Sequence, residues 1–115
     1  FLKSYMNIAA IYARFNQYED VAKNLTQAIR LQPDNPLFYY NRGFAYAKTG
    51  QYNAALNDFN KTLRLKDNHA DAYNIRAAVY LNQHNIISGC LDAKKACELG
   101  NCSTLKVVKA RGLCR

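Results

Sequence analysis

Tryptophan is absent from this chain, and proline is nearly so: Pro33 and Pro36 sit almost together and no other proline occurs. Scattered helix breaks are thereby excluded, and long stretches are free to be helical. Cysteine is missing until Cys90, after which Cys97, Cys102 and Cys114 follow quickly. No run approaches the roughly 18 apolar residues that a membrane span requires. The start, Phe1-Leu2-Lys3, leads straight into a periodic pattern with no charged leader or cleavage site, so no signal peptide is read. The chain does not begin with Met and reads as a mature or excised fragment. There is no glycine-rich phosphate loop, no Ser-His-Asp arrangement near a suitable turn and no metal-binding pair of histidines. No enzymatic activity, metal or cofactor is therefore expected. Glu19 and Asp20 adjoin each other where carboxylates suit a helix start, and His69 and His84 fall in turns; none of the four suggests catalysis.

Acid is scarce, with 8 Asp and Glu against 16 Lys and Arg, for a formal charge of +8. The surplus is concentrated at the end, where Lys106, Lys109, Arg111 and Arg115 stand without an acid after Glu98. A basic chain favours acidic partners. These basic residues are scattered and do not alternate with aromatics on one stripe, which argues against nucleic acid.

Hydrophobic residues make up 50% of the 115, and the aromatics are rich in tyrosine, with nine. That composition fits one folded domain, residues 1–115. The chain divides without gaps into residues 2–35, 36–69 and 70–103, and a tail, 104–115. Tyr5, Tyr39 and Tyr73 share a column of this alignment. So do Tyr12, Tyr46 and Tyr80, Leu31, Leu65 and Leu99, and the small residues Ala9, Gly43 and Ala77. Each unit reads as two helices. Tyr39, Arg42, Gly43 and Tyr46 follow helical spacing, as do Tyr52, Ala55, Leu56, Phe59 and Leu63. "KTGQY" separates them, with Gly50 able to take the left-handed conformation that ends a helix. Asn16 and His84 occupy the Gly50 column in the other units; Asn tolerates that conformation, His less well. Pro33 ends the first unit, and Pro36 suits the first turn of the next helix.

This pattern resembles the tetratricopeptide repeat family, whose period is 34 residues. The likeness is strongest in "YNRGFAYAKTGQYNAALNDFNKTLRL". It implies an all-α fold, an α-solenoid in which antiparallel helix pairs stack into a right-handed superhelix. One pair cannot bury its apolar face alone, and about three are needed for stability. The third unit departs, with Gly89 and Ala93 where the others have Val21 or Ala55 and Leu25 or Phe59. Its helices should approach more closely or enclose a shallower core.

A stack needs a solvating cap. "TLKVVKAR", residues 104–111, is expected to form a short amphipathic helix with Leu105, Val108 and Gly112 on one side and Ser103 as N-cap. Cys90 and Cys97 then lie on the face of the third unit's second helix that meets the cap. They are too far apart along the axis to bond each other. A cap turning back near Asn101 favours Cys90–Cys114 and Cys97–Cys102. Reduced, buried thiols remain the main alternative, and the spacing is not that of a zinc site. Disulfides would favour an extracytoplasmic home, periplasmic or secreted, over the cytoplasm. "KACELGNC" is also similar to cysteine-stapled Sel-one-like solenoids.

The resemblance implies a non-catalytic module that binds a protein or peptide segment in its concave groove. The groove-facing columns give Met6, Asn7, Ala10 and Arg14, then Leu37, Tyr40, Asn41, Phe44 and Lys48, then Asp71, Asn74, Ile75, Ala78 and Asn82. Of the positions with which chaperone-binding members hold a terminal carboxylate pair, only Asn41 matches. Met6, Ala10, Asp71 and Ile75 do not, so capture of a chaperone tail is not expected. The alternative is a structural or self-associating segment of a larger solenoid. A homodimer through an apolar N-terminal end near Phe1 and Leu2 would belong to that reading.

Overall fold

The computed structural model describes the backbone of residues 2–114 and the side chains of residues 14–114. Six helices follow one another: α1 (Leu2–Leu31), α2 (Pro36–Lys48), α3 (Tyr52–Leu65), α4 (Ala70–Asn82), α5 (Ile86–Glu98) and α6 (Ser103–Ala110). The fold is all-α and its helices pair antiparallel, α2 with α3 and α4 with α5. Local chemistry sets the ends. The Asn35 side chain accepts a hydrogen bond from the Leu37 N–H, and Pro36 opens α2. Gly50 takes φ 78° after α2 and His84 takes φ 62° after α4, so both fill the left-handed position expected of their column.

Asn16 does not. The first unit was expected to be two helices, and α1 instead runs unbroken from Leu2 to Leu31. Glu19 and Asp20 consequently stand inside a helix and not at its start. Local propensity alone does not account for this, because His suits the left-handed conformation less well than Asn and yet adopts it. Tertiary contacts decide. In the second unit Arg42 Nε and Nη2 donate to the two carboxylate oxygens of Asp58 at 2.8 and 2.7 Å. In the third, Arg76 donates in the same way to Asp92 at 2.6 and 2.8 Å. The corresponding residues of the first unit are Ile8 and Asn24. No ion pair offsets a strained turn there, so Asn16 stays helical.

Each arginine also reaches the preceding unit. Arg42 Nη1 donates to Thr26 Oγ1, and Arg76 Nη1 to Asn60 Oδ1. Tyr39 and Tyr46 flank Arg42 with their rings, as Tyr73 and Tyr80 flank Arg76. The hydrogen bond to Asp58 raises the pKa of Arg42. Burial works against the charge of Arg76, but the hydrogen bond to Asp92, the charge of Asp92 and the neighbouring Tyr80 and Tyr73 together raise its pKa.

The apolar cores lie between successive pairs, as stacking requires. Ala55, Phe59 and Val79 form one, flanked by Tyr40, Tyr52, Leu56 and Ile75. Enclosing Phe59 completely is worth about 2–3 kcal/mol. Ala77, Ala93, Leu105, Val108 and Cys114 form the other, between the last pair and α6. Small residues permit close approach inside each pair. A Cβ on Gly43 would lie 2.7 Å from Phe59 Cε1, and one on Gly89 would lie 2.6 Å from Leu81 Cγ. The second and third pairs are thus similarly tight at these two glycines.

The cap begins one residue earlier than expected. Ser103 lies within α6 and does not cap it. Its own N–H is capped by Asn101 Oδ1, and the N–H of Thr104 donates to Asn74 Oδ1 at 3.0 Å. Leu105 and Val108 are buried beneath the cap, whereas Gly112 lies exposed after it, in a left-handed turn at φ 80°.

Candidate functional site

The expected groove residues separate into three groups. Met6, Asn7 and Ala10 lie outside the residues whose side chains are described, and so do Phe1 and the side chain of Leu2. A second group is built into the joints between units. Asn74 is 8% exposed and holds the start of α6 through two bonds, since its backbone carbonyl also accepts from Thr104 Oγ1. Asn74, expected to face the groove, is thus engaged by the cap. Tyr40 occupies the same column one unit earlier and plays a similar part. Its ring stacks on His69, with centroids 4.7 Å apart, and tilts against Phe59 at 6.1 Å. Burial, and then the charge of Asp71, raises the phenol pKa. Ile75 packs on the same core, and Asp71 accepts a bond from Asn101 Nδ2.

The third group is open. Phe44, Lys48, Ala78 and Asn82 converge, with Ala47, Tyr52 and Ile75, on a cleft of about 150 Å³ between α2 and α4. Lys48 Nζ stands 5.3 Å from the centre of the Phe44 ring. Ala78 and Asn82 also line a cleft of about 300 Å³ between α4 and α6, together with Leu81, Thr104, Val107 and Arg111. The two clefts share a wall and form one path over α2, α4 and α6. The walls are apolar, Asn82 supplies an amide midway, and Lys48 and Arg111 stand towards the two ends. Among the described residues, no acidic one lines either cleft. Asn41 and Phe44 also face α1, where they meet Tyr18, Val21 and Leu25 around a cleft of about 330 Å³. Arg14 is exposed on α1, and Leu37 is exposed on the first turn of α2.

The sequence reading missed two features. Arg111 joins the path because α6 lies beside α4 as α4 lies beside α2, and the 34-residue period could not have signalled this, since it aligns Arg111 with the buried Ala77 and α6 starts 33 residues after α4. The second is a cleft of about 600 Å³ that opens between α3 and α4 around Asn57, Asn60, Arg64, Tyr73 and Arg76. Its lining is largely polar, and Arg76 is already engaged by Asp92 and Asn60.

The four cysteines meet in two pairs at disulfide distance, Cys90 with Cys114 and Cys97 with Cys102. The Cα atoms of the first pair are 5.2 Å apart. Among the described residues no cluster of His, Cys, Asp and Glu suits a metal ion, and no helix is long and apolar enough to cross a membrane.

Comparison with known proteins agrees with this architecture. Human serine/threonine-protein phosphatase 5 is 37% identical over 67 residues, which is 58% of this chain and 13% of that protein. The tetratricopeptide repeat and J domain-containing co-chaperone DNJ1 of Cryptococcus neoformans is 37% identical over 62 residues, 54% of this chain and 12% of its own length. The chain thus spans about an eighth of such relatives, and only a tetratricopeptide domain is matched.

Among solved structures, the TPR domain of Arabidopsis OM64 superposes with a TM-score of 0.79 at 25% identity, over 90% of this chain and 84% of that one. The first TPR of Spaghetti (RPAP3) bound to the HSP90 peptide SRMEEVD gives 0.75 at 21%, over 92% and 89%. The Yersinia enterocolitica chaperone SycD in complex with a YopD peptide gives 0.71 at 19%, over 96% and 85%. A tetratricopeptide repeat family model matches residues 8–80, well over half of the sequence. The chain belongs to the tetratricopeptide repeat family.

Proposed function

We propose that this chain is a non-catalytic binding module whose ligand is a peptide segment lying across α2, α4 and α6, with an apolar side chain seated beside Phe44. The observation that carries this reading is the shared wall of Ala78 and Asn82, which joins two apolar clefts into one path with a central amide. Asn82 is exposed and suits pairing with a peptide backbone. Lys48 and Arg111 favour a segment that is neutral or acidic at its ends. Peptides occupy two of the similar structures, which supports a peptide as the ligand class.

A chaperone tail is not the ligand this surface favours. Asp71 and Ile75 stand where the chaperone-binding members place cations, and Ile75 is packed into the core. The paired cysteines favour an oxidising, extracytoplasmic setting. Fluorescence polarisation separates the alternatives. Labelled peptides selected from a random display library should carry an apolar anchor, bind the wild type, and lose ten-fold or more in affinity with Ala78→Arg, which fills the shared wall. SRMEEVD should bind at least ten-fold more weakly than the selected peptides. Tight SRMEEVD binding would overturn the exclusion of chaperone tails. Selected peptides indifferent to Ala78→Arg would overturn the groove.

A further inference from the structure

We propose that two copies of this chain exchange the N-terminal halves of α1, so that residues 2–15 of each copy cover the face of α1 that lies bare on the other. The bare face is defined by the repeat itself. Ala55 and Phe59 of the second unit, and Gly89 and Ala93 of the third, are buried, with Phe59 against Gly43 and Gly89 against Leu81 of the first helix of its own pair. The residues of the same columns in α1 are Val21, which is 41% exposed, and Leu25, which is half-buried. With Tyr18, Asn41 and Phe44 they line the cleft of about 330 Å³ described above. The first helix of a pair belongs there, and α1 carries the corresponding segment away from it because the helix does not turn at Asn16.

Residues 2–15 have the sequence such a helix needs. Tyr5, Ala9 and Tyr12 repeat the columns of Tyr39, Gly43 and Tyr46 in α2 and of Tyr73, Ala77 and Tyr80 in α4. Two contacts in the later units set the register. Gly43 lies against Phe59 in the second unit, which places Ala9 opposite Leu25 in the first. Leu81 lies against Gly89 in the third, which places Ala13 opposite Val21. Both correspondences put the centre of the pairing at Gln17. Two unbroken α1 helices can therefore run antiparallel about a two-fold axis near Gln17 and satisfy both halves at once. That is the isologous geometry of a domain swap. In this register Arg14 of each copy faces Asp20 of the other, and both residues are exposed in the single chain. The hinge is Asn16, where a left-handed residue would let the segment fold back on its own chain instead.

Light scattering on the 115-residue chain at several concentrations provides the test. The expected mass is twice the 13.1 kDa of one chain, falling towards one chain on dilution. Asn16→Gly, which copies Gly50, should shift the population to monomer at equal concentration while circular dichroism retains its helical signal. Val21→Glu should dissociate the dimer without restoring a turn. Exchange itself is read from Ala13→Cys/Val21→Cys, which should form a covalent dimer on a non-reducing gel where the unsubstituted chain does not. A monomer at every concentration, including one that binds some other helix at the bare face, would overturn the proposal. So would a dimer indifferent to Asn16→Gly and lacking the cross-link. Ala78→Arg lies outside this face, so the dimer should survive a change that abolishes peptide binding.

Discussion

The carboxylate of Asp58 accepts two hydrogen bonds from the Arg42 guanidinium, and this pair closes α3 onto α2. The Asp58 side chain is 6% exposed and that of Arg42 19%, so removing the acid strands a largely desolvated cation. Asp58→Ala should cost on the order of 3 kcal/mol. The apolar replacement of both partners, Arg42→Met/Asp58→Leu, should cost less than the single change, because nothing charged is left behind. Urea denaturation of the three proteins measures the order. A single variant as stable as wild type would show that the pair does not hold the helices together.

That pair was present in the sequence and went unread. Arg42 and Arg76 share a column, Asp58 and Asp92 share another, and the first unit has Ile8 and Asn24 in those places. Apolar periodicity made the helices, the Gly50 break and the cap legible, because these follow from local pattern. The continuity of α1 was not legible from Asn16, because its conformation is decided by what its flanking segments pack against. The engagement of Asn74 by the cap was not legible for a related reason. Its column faces the start of the next unit's first helix, so Asn74 spends its oxygens on Thr104. Tyr40 is likewise committed to His69, which leaves Phe44 as the more informative position for alanine substitution.

His69 gives the joint between units a pH dependence. Its Nδ1 accepts the N–H of Ala72 and caps α4, a role open only to the neutral ring. Burial, and then the charge of Lys66, lowers its pKa, with Asp71 acting in the opposite direction. A lowered folded-state value means that the neutral ring's contribution is complete above the ordinary histidine value of about 6.5 and is lost as pH falls through the folded value. His69→Asn keeps a capping oxygen and removes the titration. Between pH 7.5 and pH 5 the wild type should lose up to about 1 kcal/mol more stability than the variant, the usual worth of one cap. Parallel pH profiles for the two proteins would assign no such role to His69.

The tail supplies the last test. Cys114 is 7% exposed and packs with Leu105 and Val108 against Ala77 and Ala93, and its sulfur meets that of Cys90 on α5. α6 has only eight residues, too few to be stable as an isolated helix, so its place depends on packing and on this link. A bond spanning the sequence separation of 24 should stabilise the chain by about 3 kcal/mol through the entropy of the unfolded state. Non-reducing peptide mapping should recover Cys90 with Cys114 and Cys97 with Cys102, and no free thiol. Reduction should then free α6 first and expose Leu105 and Val108, while the Phe59 core, which α6 does not touch, persists to higher denaturant. Cys114→Ser should reproduce most of that loss and leave one titratable thiol at Cys90. Four titratable thiols in protein isolated without reductant, together with a melting curve unmoved by adding reductant, would instead make these residues ordinary buried side chains and remove the argument for an oxidising compartment.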